Sequence, residues 1–127
     1  MKTAIEFLAV AVGGSLGAMA RYGLARLVDA IWRTQFPVAT WLANLLGCFL
    51  IGLLLGSGHS DRLPTLRLFF GVGFLGALTT FSTFGAETIQ HAQQGNYGIA
   101  VGNIGLNLVT GLTAVAMGIA IGRRLWG

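Results

Sequence analysis

Apolar residues fill four long runs of this chain, and short polar segments separate them. The first run covers about residues 4–27, with an uncharged core from Phe7 to Ala20. The second extends from Val38 to Gly56. The third, drawn over about 66–92, is uncharged from Leu68 to Ala86. The fourth extends from Asn96 to Gly122. At about 1.5 Å per residue, the last three are long enough to cross a hydrocarbon core of about 30 Å. The first reaches across only if Arg21 snorkels or faces a protein interior. The pattern predicts an all-α membrane protein, one domain of four transmembrane helices.

The connectors are short. Residues 28–37 hold Asp29, Arg33 and Pro37; residues 57–67 hold His59, Asp61, Arg62, Pro64 and Arg67; residues 93–97 hold Gln93, Gln94, Gly95 and Asn96. Ser60 or Thr65 is a candidate helix cap. Lys2, the first apolar run and Ala18-Met19-Ala20 imitate a secretory signal. Glu6 and the further spans favour a first transmembrane helix instead.

Composition agrees with the pattern. Only 9% of residues are charged and 54% are hydrophobic, against about 25% charged in a soluble domain. The 20 glycines suit close helix packing, because no hydrophobic effect drives helix association in lipid. A net charge of +4 from eight Lys/Arg fits membrane edges rather than a nucleic-acid surface. The lone Cys48 and the separated His59 and His91 form no zinc pattern. No Ser/His/Asp set or mid-span carboxylate pair suggests an enzyme.

Four spans place both termini on one side. That side collects Lys2, Arg62, Arg67, Arg123 and Arg124, and the other collects Arg21, Arg26 and Arg33. This bias is weak, so the chain is expected to insert both ways and pair as an antiparallel, dual-topology homodimer. A lone four-helix bundle is filled by its own side chains, so a conduction path also favours two copies.

The third span carries the unusual feature, the run Gly76-Ala77-Leu78-Thr79-Thr80-Phe81-Ser82-Thr83-Phe84. An unpaired polar group in lipid costs several kcal/mol. The hydroxyls must therefore face protein, water or an ion. With Gly71, Gly73, Gly76 and Gly85 nearby, a helix break near mid-span is predicted. Freed carbonyls at such a break suit a dehydrated alkali cation. The rings of Phe81 and Phe84 have positive edges that suit an anion, or they are ordinary core residues. Thr40 and Asn44 share a face of the second span. Asn103, Asn107, Thr110 and Gly111 make a stripe on the fourth. Amides can hand along an anion or hold helices together. Arg21, after Gly13 and Gly17 on one face, is an interface anchor, an anion vestibule or a brace for span-three carbonyls. Glu87 is a helix-end surface charge or a gate.

These residues resemble the Fluc-type fluoride channels of microbes. The resemblance rests on Gly13-Gly14-Ser15-Leu16-Gly17-Ala18-Met19-Ala20-Arg21-Tyr22, on Thr40 with Asn44-Leu45-Leu46-Gly47, and on Gly73-Phe74-Leu75-Gly76 leading into Thr79-Thr80-Phe81-Ser82-Thr83-Phe84. It covers essentially the whole chain. The resemblance implies an antiparallel homodimer in the cell (inner or plasma) membrane, with two fluoride pores that export the ion passively. It implies that Phe81, Phe84 and Asn44 line the pore. Thr40, Glu87, Asn103 and Asn107 would line or adjoin it. It further implies that the backbone carbonyls of Gly76 and Thr79, from both protomers, hold a central structural Na⁺. Tyr and Ser occur in the family where this chain has Asn103 and Asn107, and Ala39 replaces a common Gly. The main rival is a four-helix, proton-coupled multidrug exporter. That mechanism needs a titratable carboxylate in its chamber, and Glu6 and Glu87 lie near span ends.

Overall fold

The computed structural model describes residues 1–58 and 63–126, and within them the chain is helical with no strand. His59, Asp61, Arg62 and the possible cap Ser60 lie outside the described residues. Four helical segments among the described residues are long and apolar enough to cross a membrane: Lys2–Ile31, Val38–Gly56, Pro64–Gln93 and Tyr97–Trp126. The protein is therefore a multi-pass membrane protein.

α1 (Lys2–Ile31) and α2 (Val38–Gly56) are continuous. α1 ends at Trp32, whose extended backbone stops the helix while its N–H still donates to the Val28 carbonyl at 2.7 Å. The third span is composite. It begins with α3 (Pro64–Arg67), continues as a π-helical segment (Leu68–Leu75), returns to α4 (Gly76–Leu78), breaks at Thr79 and Thr80, and resumes as α5 (Phe81–Gln93). Leu63 precedes α3 without a side-chain cap, and Pro64 takes the first helical position, where its missing N–H does no harm. Thr65 is thus inside the helix rather than its cap. α6 (Tyr97–Trp126) completes the bundle.

The turn between α5 and α6 is a Schellman motif. Asn96 N–H donates to the His91 carbonyl at 2.8 Å and Gly95 N–H to the Ala92 carbonyl at 3.0 Å. Gly95 has φ +81°, the left-handed conformation that this motif demands of its glycine.

Packing divides the protomer into two closely apposed pairs. α1 lies along the π-helical segment, and α2 lies along α6. Glycines line both seams. A Cβ at Gly17 would strike the Phe74 carbonyl, and one at Gly118 would strike the Phe49 carbonyl. Backbones approach this closely only where side chains are absent, and dispersion then acts over the whole seam. α5 rests on α6 and hardly touches α1. The break therefore sits where the third span leaves α1 and crosses to α6.

The break falls within the predicted polar run. The π-helical segment before it, with its wider i→i+5 bonding, has no counterpart in the sequence pattern. It places Phe69 and Phe74 backbone against the glycine face of α1.

Candidate anion pathway

At the break both Thr79 (φ −80°, ψ 153°) and Thr80 (φ −150°, ψ 113°) are extended. Local side chains absorb the exposed backbone groups. The Thr79 hydroxyl donates back to the Leu75 carbonyl at 3.0 Å. Thr80 caps α5: its Oγ1 accepts the Thr83 N–H at 3.2 Å and donates to Thr83 Oγ1 at 3.0 Å.

Asn44 reaches in from α2 to take the remaining Thr80 groups. Its Oδ1 accepts the Thr80 N–H at 2.8 Å, and its Nδ2 lies 3.4 Å from the Thr80 carbonyl. In an unbroken helix the Thr80 and Thr83 amides would point at the Gly76 and Thr79 carbonyls. Here both amides donate to side chains instead. The two carbonyls singled out for a cation are thus among those at the break whose i+4 donors are diverted. Between them, the Ala77 carbonyl accepts from Arg21 Nε at 3.1 Å. Of the roles open to Arg21, bracing a span-three carbonyl is the one seen.

The amides of α6 join Asn44 in a directed chain of hydrogen bonds. Asn44 Nδ2 donates to Asn107 Oδ1, Asn107 Nδ2 to Asn103 Oδ1, and Asn103 Nδ2 to Thr88 Oγ1, each at 2.9 Å. The Thr88 hydroxyl then donates to the Phe84 carbonyl at 2.7 Å. Because the chain starts at the Thr80 N–H and ends at the Phe84 carbonyl, it clamps the first turn of α5 from both sides. Asn103 is 0% exposed. It packs behind Asn107 and Thr88 and is not among the residues lining the two cavities beside the break. Thr88 was not singled out in the sequence; a lone Thr four residues after Phe84 gives no signal until α6 is placed beside it. Thr110, on the same α6 stripe, accepts from Trp41 Nε1 at 3.0 Å and belongs to the α2–α6 seam.

Two cavities flank the break. One, about 370 Å³, is lined by Asn44, Gly76, Thr79, Phe81, Phe84 and Asn107, among others. The Phe81 and Phe84 rings stand 5.5 Å apart at 52° within it. The second, about 340 Å³, brings together Arg21, Asp29, Thr40, Thr83 and Glu87. Thr80 lines both. In the second cavity Thr40 Oγ1 donates to Glu87 Oε1 at 2.9 Å. The sequence-predicted residues therefore fall into two groups. Phe81, Phe84, Asn44 and Asn107 share one cavity, Arg21, Thr40 and Glu87 share the other, and the Thr80 peptide stands between them.

A family model described as CrcB-like protein, Camphor Resistance (CrcB), matches residues 8–119. The chain belongs to the CrcB family. Curated relatives cover nearly all of it. A protein of Acidobacterium capsulatum named fluoride-specific ion channel FluC is 45% identical over 123 residues, 95% of this chain and 98% of the relative. Fluoride-specific ion channel FluC 1 of Listeria monocytogenes is 42% identical over 118 residues, 93% of this chain and 98% of its own. A FluC of Dehalococcoides mccartyi is 43% identical over 122 residues, 94% of each chain. The CrcB match spans α1 to most of α6, so the break, the clamp and both cavities lie inside it.

Proposed function

We propose that this protein is a fluoride channel that lets the ion leave the cytoplasm passively across the plasma membrane. The observation that carries the reading is the cavity in which the rings of Phe81 and Phe84 meet the amides of Asn44 and Asn107 beside a helix break. It stands in a chain whose relatives are named fluoride-specific ion channels. Fluoride is small and strongly hydrated, so a purely apolar passage would reject it. Ring edges and polar hydrogens must replace lost water. A negative interior then drives the anion outward at about 2.3 kcal/mol per charge per 100 mV. No chemical step is required of any residue.

The reading includes an antiparallel homodimer. Phe81 is 82% exposed in the single chain. A ring that lines a pore needs a second wall, and a second copy supplies it. The same pairing would bring the Gly76 and Thr79 carbonyls of two protomers together, four oxygens in all. Their diverted amides leave them as free as carbonyl ligands for Na⁺ should be. A bound Na⁺ would supply positive charge that offsets repulsion between two anion paths. The exporter alternative loses ground because Glu87 is already engaged by Thr40 and faces a cavity beside Arg21.

The test is efflux from liposomes holding the purified protein, with fluoride and chloride measured in parallel. Rapid fluoride loss without chloride loss is the expected result. Folded protein that passes no fluoride overturns the proposal. Cross-linking of reconstituted protein through a cysteine replacing Ser82, beside Phe81, tests the pairing; monomer alone would exclude it.

A further inference from the structure

Gly47 stands on α2 one turn after Asn44 and on the same face. It is buried, and a side chain of the break fills the space above it. A Cβ built on Gly47 would strike the methyl carbon of Thr79. The Thr79 hydroxyl meanwhile donates to the Leu75 carbonyl at 3.0 Å. Both heavy branches of Thr79 are therefore engaged, the hydroxyl by Leu75 and the methyl by Gly47. The remaining staggered position holds hydrogen.

Glycines such as Gly17 and Gly118 admit the backbone of a neighbouring helix, whereas Gly47 admits a side chain of the break itself. With a Cβ at position 47, no rotation of Thr79 would relieve the collision freely. Turning the hydrogen into the notch carries the methyl to the hydroxyl's place, against the Leu75 carbonyl. Turning the other way puts the hydroxyl in the notch. A β-branched residue held at both branches has one rotamer left. The backbone of Thr79 would have to move instead.

The following peptide is held by the same face of α2. The Thr79 carbonyl and the Thr80 N–H belong to one planar trans unit and point in opposite directions. Asn44 Oδ1 accepts that N–H at 2.8 Å, so the Thr79 carbonyl points away from Asn44. On the other side, the Thr79 N–H keeps its helical bond to the Leu75 carbonyl at 3.1 Å.

We infer that Gly47 is a positioning residue for the Thr79 carbonyl. Its missing Cβ seats the Thr79 methyl, and together with Asn44 it aims that carbonyl as an ion ligand. The inference rests on the Na⁺ reading above. Gly47 acts through Thr79 and contributes no ligand of its own. Carbonyls replace the water of an alkali cation only when they converge on it, so a shifted Thr79 weakens the site without removing any ligand atom.

The test is a Na⁺ titration of thermal unfolding. The protein is purified without Na⁺, in N-methylglucamine salt, and kept at constant ionic strength. The natural protein should gain stability as Na⁺ is added. In G47A the half-maximal gain should need roughly ten- to a hundredfold more Na⁺, the usual loss when the support of a metal ligand is removed. G47A/T79S keeps the hydroxyl and removes the methyl, and it should recover most of that loss. G23A, where a Cβ meets nothing within 4 Å, should titrate like the natural protein. A G47A protein that is less stable at every Na⁺ concentration, with its half-maximal concentration unchanged, overturns the inference and leaves the Na⁺ reading intact. A double variant as impaired as G47A does the same. Where G47A fails to fold, the double variant decides: a near-natural titration supports the inference, and failure to fold overturns it. No response to Na⁺ in the natural protein overturns the Na⁺ reading and the inference together, while fluoride efflux judges the channel reading separately.

Discussion

Asn44 holds the peptide of Thr80 by its amide, accepting the N–H at 2.8 Å on Oδ1 and placing Nδ2 3.4 Å from the carbonyl. An asparagine on one helix thus replaces the helical bonding that another helix has lost. Its carboxamide matches a peptide group in size and in the order of donor and acceptor. The residue expected to meet an anion is also the residue that keeps the break in shape.

Asn44→Ala should therefore damage fold and flux together. It strands the Thr80 N–H and Asn107 Oδ1, at about 1–3 kcal/mol for each buried group. Thermal unfolding in detergent should show the loss, and fluoride efflux should fall at least tenfold. Asn44→Ala with natural stability would show that water replaces the amide without penalty.

Phe81→Ile should separate the two properties. Phe81 is 82% exposed in the protomer, so its replacement should change protomer stability by less than about 0.5 kcal/mol. Flux should drop by an order of magnitude or more, because the aliphatic chain has no positive ring edge. Phe84→Ile should lower flux as much. Full flux in both variants would reduce the rings to packing.

Asn103→Ala and Thr88→Val test the clamp. Each should destabilise by about 1–3 kcal/mol: Thr88→Val strands the Nδ2 donor of the fully buried Asn103, and Asn103→Ala removes the donor to Thr88 and one of the two acceptors of Asn107 Nδ2. The double variant should lose clearly less than the sum, since the second change removes a group already stranded. Strict additivity in chemical unfolding would mean that the two side chains act separately.

Gly17→Ala and Gly23→Ala form a matched pair on α1. A Cβ at Gly17 collides with the Phe74 carbonyl, whereas one at Gly23 meets nothing within 4 Å. The first should destabilise by about 1–3 kcal/mol through forced separation of the helices. The second should be neutral or up to about 1 kcal/mol stabilising, through helix propensity. Equal behaviour of the two would argue that the seam is loosely packed.

Much of this was legible in one dimension. The apolar runs gave the four spans, because lipid demands long helices whose backbones satisfy themselves. The break was legible too, since Thr79 to Thr83 set hydroxyls where lipid offers no partner. The π-helical turn from Leu68 to Leu75 was not legible. It depends on how Phe69 and Phe74 meet the glycine face of α1, a contact between residues some sixty positions apart. Asn103 and Asn107 read alike in the sequence, as two amides one turn apart. In the fold one is sealed behind the other, because α5 covers Asn103 through Thr88 while Asn107 reaches the cavity.

The sequence by itself determined the solvent, the number of spans and the place where the third helix would fail. Those depend on local composition and on the period of one helix. Only the tertiary structure decided which atoms take up the bonds that the failure releases. Arg21 and Asn44 come from two different helices and reach the Ala77 carbonyl and the Thr80 N–H, while Asn107 on a third helix holds Asn44; these bonds exist only after the helices pack. A hydrogen bond is decided within a few tenths of an ångström, whereas hydrophobic pattern fixes only which face turns inward.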